Sequence, residues 1–497
     1  MSKGKHARRQ KAVAQTSRLA TAESLRESEP RPDLCPVDDL RLAEVIPLPP
    51  SGAEPNLLHL GPLNAFLRSR WYPGIFQVVG VLVFAFIMIE TLFGTTTVHD
   101  NAGSAIVWIL WWPLLPLSYF VLARFWCTVC PFPVVGDFLQ RFAGRRLPMP
   151  SFLKKYGIWI IDAWFIGITW ADHVFGIVAS PRGTGYLLLM ILAGVITMSL
   201  VFERRTFCRT TCFLGGLSGN YSMASALALR ANRANCKDKC RDLWCAKGSE
   251  RAAACPMFET PRTMRTNREC NLCGNCIKSC PHGSLRLELR KPTQEFWHVA
   301  TARTEVAFLA MILVGVVIIQ NLTMLSVWQP LLDRVAGLTG STNFTLNFSL
   351  IFAVAMGLPL AALALASRFS RDSNETTLQN FARFGYAIIP LDLAAHMGHN
   401  LFHLLGEGLA VPRSLAERFG LQWTRASDEL LNTPTIQVLQ YLMLGAGAVA
   451  TLYAAYRIAR GAGHTRTVRA LVPHILLICL LIAVNAYMFT QPMGHRA

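Results

Sequence analysis

Eight cysteines crowd residues 236 to 281 of this 497-residue chain. Four of them, Cys270, Cys273, Cys276 and Cys280, are separated by two, two and three residues, and Pro281 closes the run. Two-residue gaps let one turning loop aim three sulfurs at three irons of a single cubane, and the small residues Gly274 and Asn275 permit the tight backbone. The other four, Cys236, Cys240, Cys245 and Cys255, are spaced by three, four and nine residues and end in Pro256. Structural zinc is the other chemistry open to eight thiolates. Zinc sites show separated pairs and have no need of a two-two-three run. The spacing therefore predicts iron–sulfur ligation on Cys270 to Cys280, and a second cluster on the looser half.

The run ending in Pro281 is similar to that of bacterial ferredoxin-type electron-transfer modules, over about sixty residues. The resemblance implies two [4Fe-4S] clusters with crossed ligands. Cys270, Cys273 and Cys276 would share one cluster with Cys255, and Cys236, Cys240 and Cys245 the other with Cys280. His282 follows the closing proline and is expected beside the cluster rather than on it.

Two further cysteine pairs end apolar stretches. The first follows Arg124-Phe125-Trp126 as Cys127 and Cys130, then Pro131; the second follows Arg204 and Arg205 as Cys208 and Cys212, then Phe213. Two hairpins that each deliver a pair to the membrane surface are what an internal duplication produces. Cys127, Cys130, Cys208 and Cys212 suit a single four-thiolate metal or redox site. They suit equally reduced thiols packed as small hydrophobes at helix ends, or, beside arginine, dithiols of lowered pKa.

A membrane helix ending in a cysteine pair, repeated and followed by a ferredoxin segment, resembles the membrane-bound polyferredoxins that relay quinol electrons to periplasmic nitrate and nitrous oxide reductases. The resemblance covers roughly residues 70 to 290. It implies a quinol dehydrogenase membrane subunit. This chain departs from the pattern in the two-residue spacing of its first pair, in Phe213 where proline is usual, and in the irregular first half of its ferredoxin segment. No stretch before the first apolar segment is long enough for the exported flavin domain of some relatives.

A second group of chemistry-bearing residues lies far from the cysteines. Asp392, His396, His399, Asn400, His403 and Glu407 fall within about a third of one helix circumference. His173, with Asp162 and Thr169, forms a partner stripe on an earlier segment, and His99 lies just beyond another. Ionisable residues in a bilayer usually face the bundle interior and mark proton, ion or cofactor paths. His99, His173, His396, His399 and His403 fit b-type haem, a non-haem metal, a quinone site or an internally satisfied polar network. Glu90 and His474 are isolated ionisable residues with packing roles as open as functional ones.

The elements that must hold these groups are membrane helices. Apolar residues make up 52% of the chain, too many for an ordinary soluble protein. Nine apolar stretches have bilayer length, near 75–93, 104–122, 157–179, 185–203, 303–327, 344–366, 381–405, 436–456 and 470–490. The expected architecture is an α-helical polytopic membrane protein of about nine spans with an inserted cytoplasmic ferredoxin-like domain. Its parts are a disordered basic tail (1–70), a four-helix block (71–203), the iron–sulfur domain (204–302) and a five-helix block (303–497). The charge balance of +18 reflects basic residues held on one side rather than a nucleic-acid partner. Arg124, Arg141, Arg145, Arg146, Lys154 and Lys155 fall in one loop and Arg457, Arg460, Arg466 and Arg469 in another, whereas the loop 94–103 has no basic residue. This asymmetry predicts that the N-terminus and cluster domain are cytoplasmic and the C-terminus outside, and the resemblance implies that the membrane is the bacterial inner membrane. No signal peptide is expected at the start. Clustered cysteines argue for a reducing compartment, not a disulfide framework.

The function expected is electron transfer between a membrane quinol or haem site and the clusters, with a periplasmic or cytoplasmic protein as redox partner. A metal-reducing assembly factor for a respiratory metalloenzyme, or a redox-gated transporter, are the alternatives. No catalytic acid, base or nucleophile constellation is visible beyond quinone redox.

Overall fold

The computed structural model describes residues 55–497 apart from 292, 298–301, 374, 425–426, 462–466, 492 and 495–497. The basic start of the tail, Lys3 to Lys11, and Cys35 lie outside the described residues. Residues 55–70, assigned by composition to the same disordered tail, are instead folded, with a helical turn at Leu57–His59 and helix α1 (Gly61–Arg68). They order because they have a surface to cover. Leu58, Leu67 and Tyr72 are buried with Leu229, Met264, Ile277 and Leu287 of the cysteine-rich segment, and Asn56 bridges to Glu288. Local composition carries no trace of a partner so distant in the chain.

The first helical block contains α2 (Gly74–Phe93), α3 (Ala102–Leu122), the amphipathic α4 (Pro131–Ala143), α5 (Ser151–Phe175), α6 (Pro181–Val201) and the short α7 (Phe213–Ser222). The cysteine-rich segment follows. Its frame is an antiparallel pair, β1 (Leu227–Ala231) and β2 (Leu285–Leu289), in register from Leu227 opposite Leu289 to Ala231 opposite Leu285. Between them lie helical turns at Arg233–Lys239, Trp244–Lys247 and Asn275–Ser279. A two-residue ladder also joins Gly248–Ser249 to Ala252–Ala253. The C-terminal block comprises α8 (Thr304–Leu322), α9 (Trp328–Thr339), α10 (Phe344–Ser370), α11 (Thr377–Gly406), α12 (Ala410–Arg418), α13 (Thr433–Gly461) and α14 (Thr467–Thr490).

Eight helices among the described residues, α2, α3, α5, α6, α8, α10, α13 and α14, are long and apolar enough to cross a membrane. On α2 the side chains of Val78, Leu82, Ile89 and Phe93 point outward and are exposed, as lipid-facing groups are. The remaining expected stretch, 381–405, lies in α11, the longest helix of the described residues at 30 residues. It falls outside the apolar set because of its acid, histidines and asparagines. Yet α11 is buried along almost its whole length, with Asp392, His396, His399, Asn400 and His403 all inside. It packs against α13, α8, α10 and α3, so its apolar neighbours, not its own hydropathy, hold it there.

Small residues let α11 approach its neighbours closely. A Cβ on Gly447 of α13 would lie 2.4 Å from the Ala394 Cβ, and one on Gly385 would lie 2.5 Å from the Ala307 Cβ of α8. Gly447→Leu is expected to force the α11–α13 pair apart, at about 1–3 kcal/mol, and to lower the thermal midpoint in detergent. Gly445→Leu, which meets only open space, should leave that midpoint unchanged. Equal melting of the two variants would refute the close packing.

Candidate functional site

The helices α3 and α6 end alike. Each is followed by a residue of positive φ, Ala123 at 49° or Arg205 at 56°. One helical turn comes next, Trp126–Val129 or Thr206–Thr210. Then an extended cysteine caps the following helix, Cys130 before α4 and Cys212 before α7. Backbone N–H groups of Phe132 reach the Cys130 sulfur, and those of Leu214 and Gly215 the Cys212 sulfur, so each helix turns its positive end to a thiolate position. The two hairpins converge: Cys127, Cys130, Cys208 and Cys212 line one cavity of about 30 Å³, with Phe132, Phe213 and Met257 in its wall. Burial pushes the Cys212 thiol up to about 11 and raises those of Cys130 and Cys208 as well. At Cys208 desolvation by burial outweighs the opposing effect of Arg205.

In the cysteine-rich segment, Cys255, Cys270, Cys273 and Cys276 line a second cavity of about 20 Å³, the grouping that crossed ligation implies. Burial pushes the Cys255 thiol up to about 11 and that of Cys270 to about 12. Cys236 interacts with Cys240 and Cys280, the crossed partners of the other set, while Cys245 is near enough to interact with Cys276. Gly274 holds φ at +76°, and a Cβ there would strike the Tyr72 ring at 2.8 Å, so glycine alone lets the loop lie against the N-terminal segment. Tyr72 donates from its hydroxyl to the Leu272 carbonyl and accepts at its own carbonyl from Lys278. His282 stacks at an angle near Trp244, with ring centroids 5.9 Å apart.

Side chains that motif spacing does not single out join the two cavities. Buried Arg124 donates from Nε to Cys127 Sγ at 3.3 Å and from Nη1 to the Arg268 carbonyl at 2.6 Å, and it pairs with Glu269 at 3.7 Å. Thr128 donates to the Asn271 carbonyl at 2.5 Å. Arg205 is held by Asp137 at 3.2 Å, donates to the Cys127 carbonyl at 2.9 Å, and lies close enough to interact with both Cys208 and Cys273. Met257, two residues after Cys255, lines the first cavity. A readable signal does exist for the arginines: each stands three residues before the first cysteine of its pair. Deeper in, Glu295 accepts from Arg230 Nη2 at 2.6 Å, the Asn267 N–H at 2.7 Å, Thr266 Oγ1 at 2.9 Å and Arg290. It thereby fixes the approach to Cys270.

The donor sets suit iron–sulfur clusters. Among the described residues no three Cys, His, Asp or Glu side chains converge closely enough to hold one metal ion. Cavities each lined by four cysteines provide the ligand number of a [4Fe-4S] core. Buried thiolates grouped in fours are unfavourable alone, and a cationic metal core removes that penalty.

The histidines divide. His99 is exposed, and its carbonyl accepts from Arg413 at 3.1 Å; its expected place in one set with the buried histidines is corrected, because its loop is pinned at the surface. His173 stacks on Phe348 and bonds the Thr169 carbonyl at 2.8 Å and Thr323 Oγ1 at 3.4 Å. On α11, Tyr221 Oη donates to Asp392 Oδ2 at 3.0 Å and lies 3.0 Å from His396 Nδ1. His399 Nδ1 meets Asn321 Oδ1 at 3.0 Å, and His403 Nδ1 meets Glu407 Oε2 at 3.2 Å. Tyr221, part of α7, is a member of this set that no helix-periodicity argument could reach. Asp162 is buried on α5 with both carboxyl oxygens lacking a hydrogen-bond partner. Glu90 pairs with Arg418 at 2.5 Å, and His474 stacks on Phe384 while bonding Ser370 and Asn380.

Comparison with known proteins bears on the first cavity. Two segments, 104–150 and 184–228, match a family model described as a 4Fe-4S binding domain. The first contains Cys127 and Cys130, the second Cys208 and Cys212. The chain therefore carries a 4Fe-4S binding domain, and iron–sulfur clusters are its cofactors. Among curated proteins it is similar to "Putative electron transport protein YccM" of Escherichia coli (strain K12), 27% identical over 199 residues that cover 35% of this chain and 53% of that protein. The chain thus spans about half the length of this curated relative. No solved structure matches it.

Proposed function

We propose that the chain is a membrane electron-transfer protein that relays electrons between a quinol/quinone couple in the bilayer and a protein redox partner. The observation that carries this reading is the continuity of three cysteine sets. The cavity of Cys127, Cys130, Cys208 and Cys212 is joined through Arg124, Arg205 and Met257 to the loop bearing Cys255, Cys270 and Cys273. Cys276 lies near Cys245, and Cys236 lies near Cys240 and Cys280. Bound [4Fe-4S] clusters supply one-electron storage at each set. The chain contributes position and potential. Buried Arg124 and Arg205 place fixed positive charge beside the first set, which favours its more negative, reduced state. Similarity to a protein named for electron transport supports the role. The 4Fe-4S match on the two hairpins supports a cluster site there beyond the two of the ferredoxin segment.

In this reading α11 is a ninth span, about 45 Å long, and the membrane is the bacterial inner membrane. The N-terminus and the cluster segment are cytoplasmic and the C-terminus is on the other side, as the distribution of Lys and Arg favours. Anaerobically purified protein tests the proposal. About twelve iron atoms with matching acid-labile sulfide are expected per chain, together with cluster absorbance that bleaches on adding a quinol. Colourless protein holding zinc, or clusters that no quinol reduces, would overturn it.

A further inference from the structure

Oxidation of a hydroquinone releases two electrons and two protons, and the sulfur-lined sites carry only the electrons. The proton side of that balance has its own machinery in the C-terminal block, and this inference rests on the electron-relay reading above. Tyr221 stands at the last turn of α7, whose first residue follows Cys212. One turn earlier on the same helix, Ser218 Oγ lies 3.4 Å from Cys127 Sγ. A single short helix therefore links the first thiolate cavity to Asp392 and His396, roughly 13 Å along its axis.

The tyrosine hydroxyl has one proton and lies 3.0 Å from each of two partners, Asp392 Oδ2 and His396 Nδ1. It cannot donate to both. Two arrangements satisfy the trio: tyrosine donates to a carboxylate while His396 Nδ1–H donates to tyrosine, or a protonated Asp392 donates to tyrosine while tyrosine donates to His396. Passing from the second to the first moves one proton from acid to imidazole. The Asp392 O–H bond breaks, a tyrosine O–H forms as the old one breaks, and an imidazole N–H forms. The other oxygen of Asp392, Oδ1, is buried without a hydrogen-bond partner, as is Asn485 Oδ1. Both residues line a cavity of about 10 Å³ between α8, α11 and α14, the space of about one water. Beyond His396 the same face of α11 continues through His399 and His403, with ring centroids 5.1 Å apart, to Glu407 at the helix end. Uncharged side chains of neighbouring helices also reach α11 here: Asn321 of α8 meets His399, Gln440 of α13 donates to the Gly398 carbonyl, and Thr451 accepts from the Leu391 N–H.

We propose that Asp392, Tyr221 and His396 form a proton-loading site. Their protonation is coupled to the redox state of the neighbouring cysteine set, and His399, His403 and Glu407 carry the proton on to the far end of α11. Infrared difference spectra between electrochemically reduced and oxidised protein test this without any quinol. A carboxylic-acid C=O band that shifts in D2O is expected in the wild type, is lost in Asp392→Asn, is shifted in Tyr221→Phe, and is unaffected in Asp162→Asn. Iron content equal to wild type certifies each variant as folded. With a quinol as donor, cluster reduction should slow about 10²-fold in Asp392→Asn, while dithionite reduction keeps its wild-type rate. Absence of the band in the wild type, or its persistence in Asp392→Asn and unaltered position in Tyr221→Phe, overturns the proton-loading site. Failure of quinol to reduce the wild-type clusters, with the band intact, overturns the donor in the electron relay and leaves the proton site standing.

Discussion

Serine in place of Cys127, Cys130, Cys208 and Cys212 together is expected to remove about four iron atoms and their sulfide per chain and to abolish quinol-driven reduction of the clusters that remain. The four sulfurs share one cavity, so the effect is collective and a single Cys212→Ser change should already release most of that iron. The sites of the cysteine-rich segment should stay loaded and reducible by dithionite, because Cys255, Cys270, Cys273 and Cys276 line a separate cavity. Serine leaves hydroxyls in an apolar enclosure at about 1–3 kcal/mol each when unpaired, so iron and sulfide analysis should be read beside a thermal melt. Unchanged iron in the quadruple variant would reduce the four cysteines to packed thiols.

Glu295→Ala is expected to be the most damaging single change in the cysteine-rich segment. It would leave the buried guanidinium groups of Arg230 and Arg290 without their shared carboxylate. Breaking a buried ion pair on one side costs about 3–5 kcal/mol. It would also free the Asn267 N–H, which leads directly into Cys270. Loss of iron from the Cys270 and Cys236 sets, with the first set retained, is the expected analytical result. Glu295→Gln keeps an acceptor and should lose less. Equal iron retention in both variants would show that the carboxylate is not what organises the loop.

How much of this was legible in the residues depends on range. The two-two-three run and the paired cysteines are short-range patterns; the pairs Cys127/Cys130 and Cys208/Cys212 line one cavity, and Cys270, Cys273 and Cys276 line another with Cys255, which the run itself does not include. The apolar stretches become long helices for the same local reason. The polar face of α11 could be read as a stripe, but not what it faces, because Tyr221 lies 171 residues from Asp392. Arg124 and Arg268 are likewise 144 residues apart. Residues 55–70 look like tail because the apolar groups they cover belong to a segment far along the chain. His99 looks like a member of the histidine set when only its side of the membrane is counted. Its exposed loop contradicts that.

The matching ends of α3 and α6 have a further consequence. Each hairpin holds only two of the four sulfurs around the first cavity, so a chain with one hairpin would complete the ring only by meeting a second copy of itself. Joining both halves in one polypeptide replaces that encounter with a tether, and raises the effective concentration of one half for the other to the millimolar range. Assembly of the ring is thereby independent of how densely the protein populates its membrane.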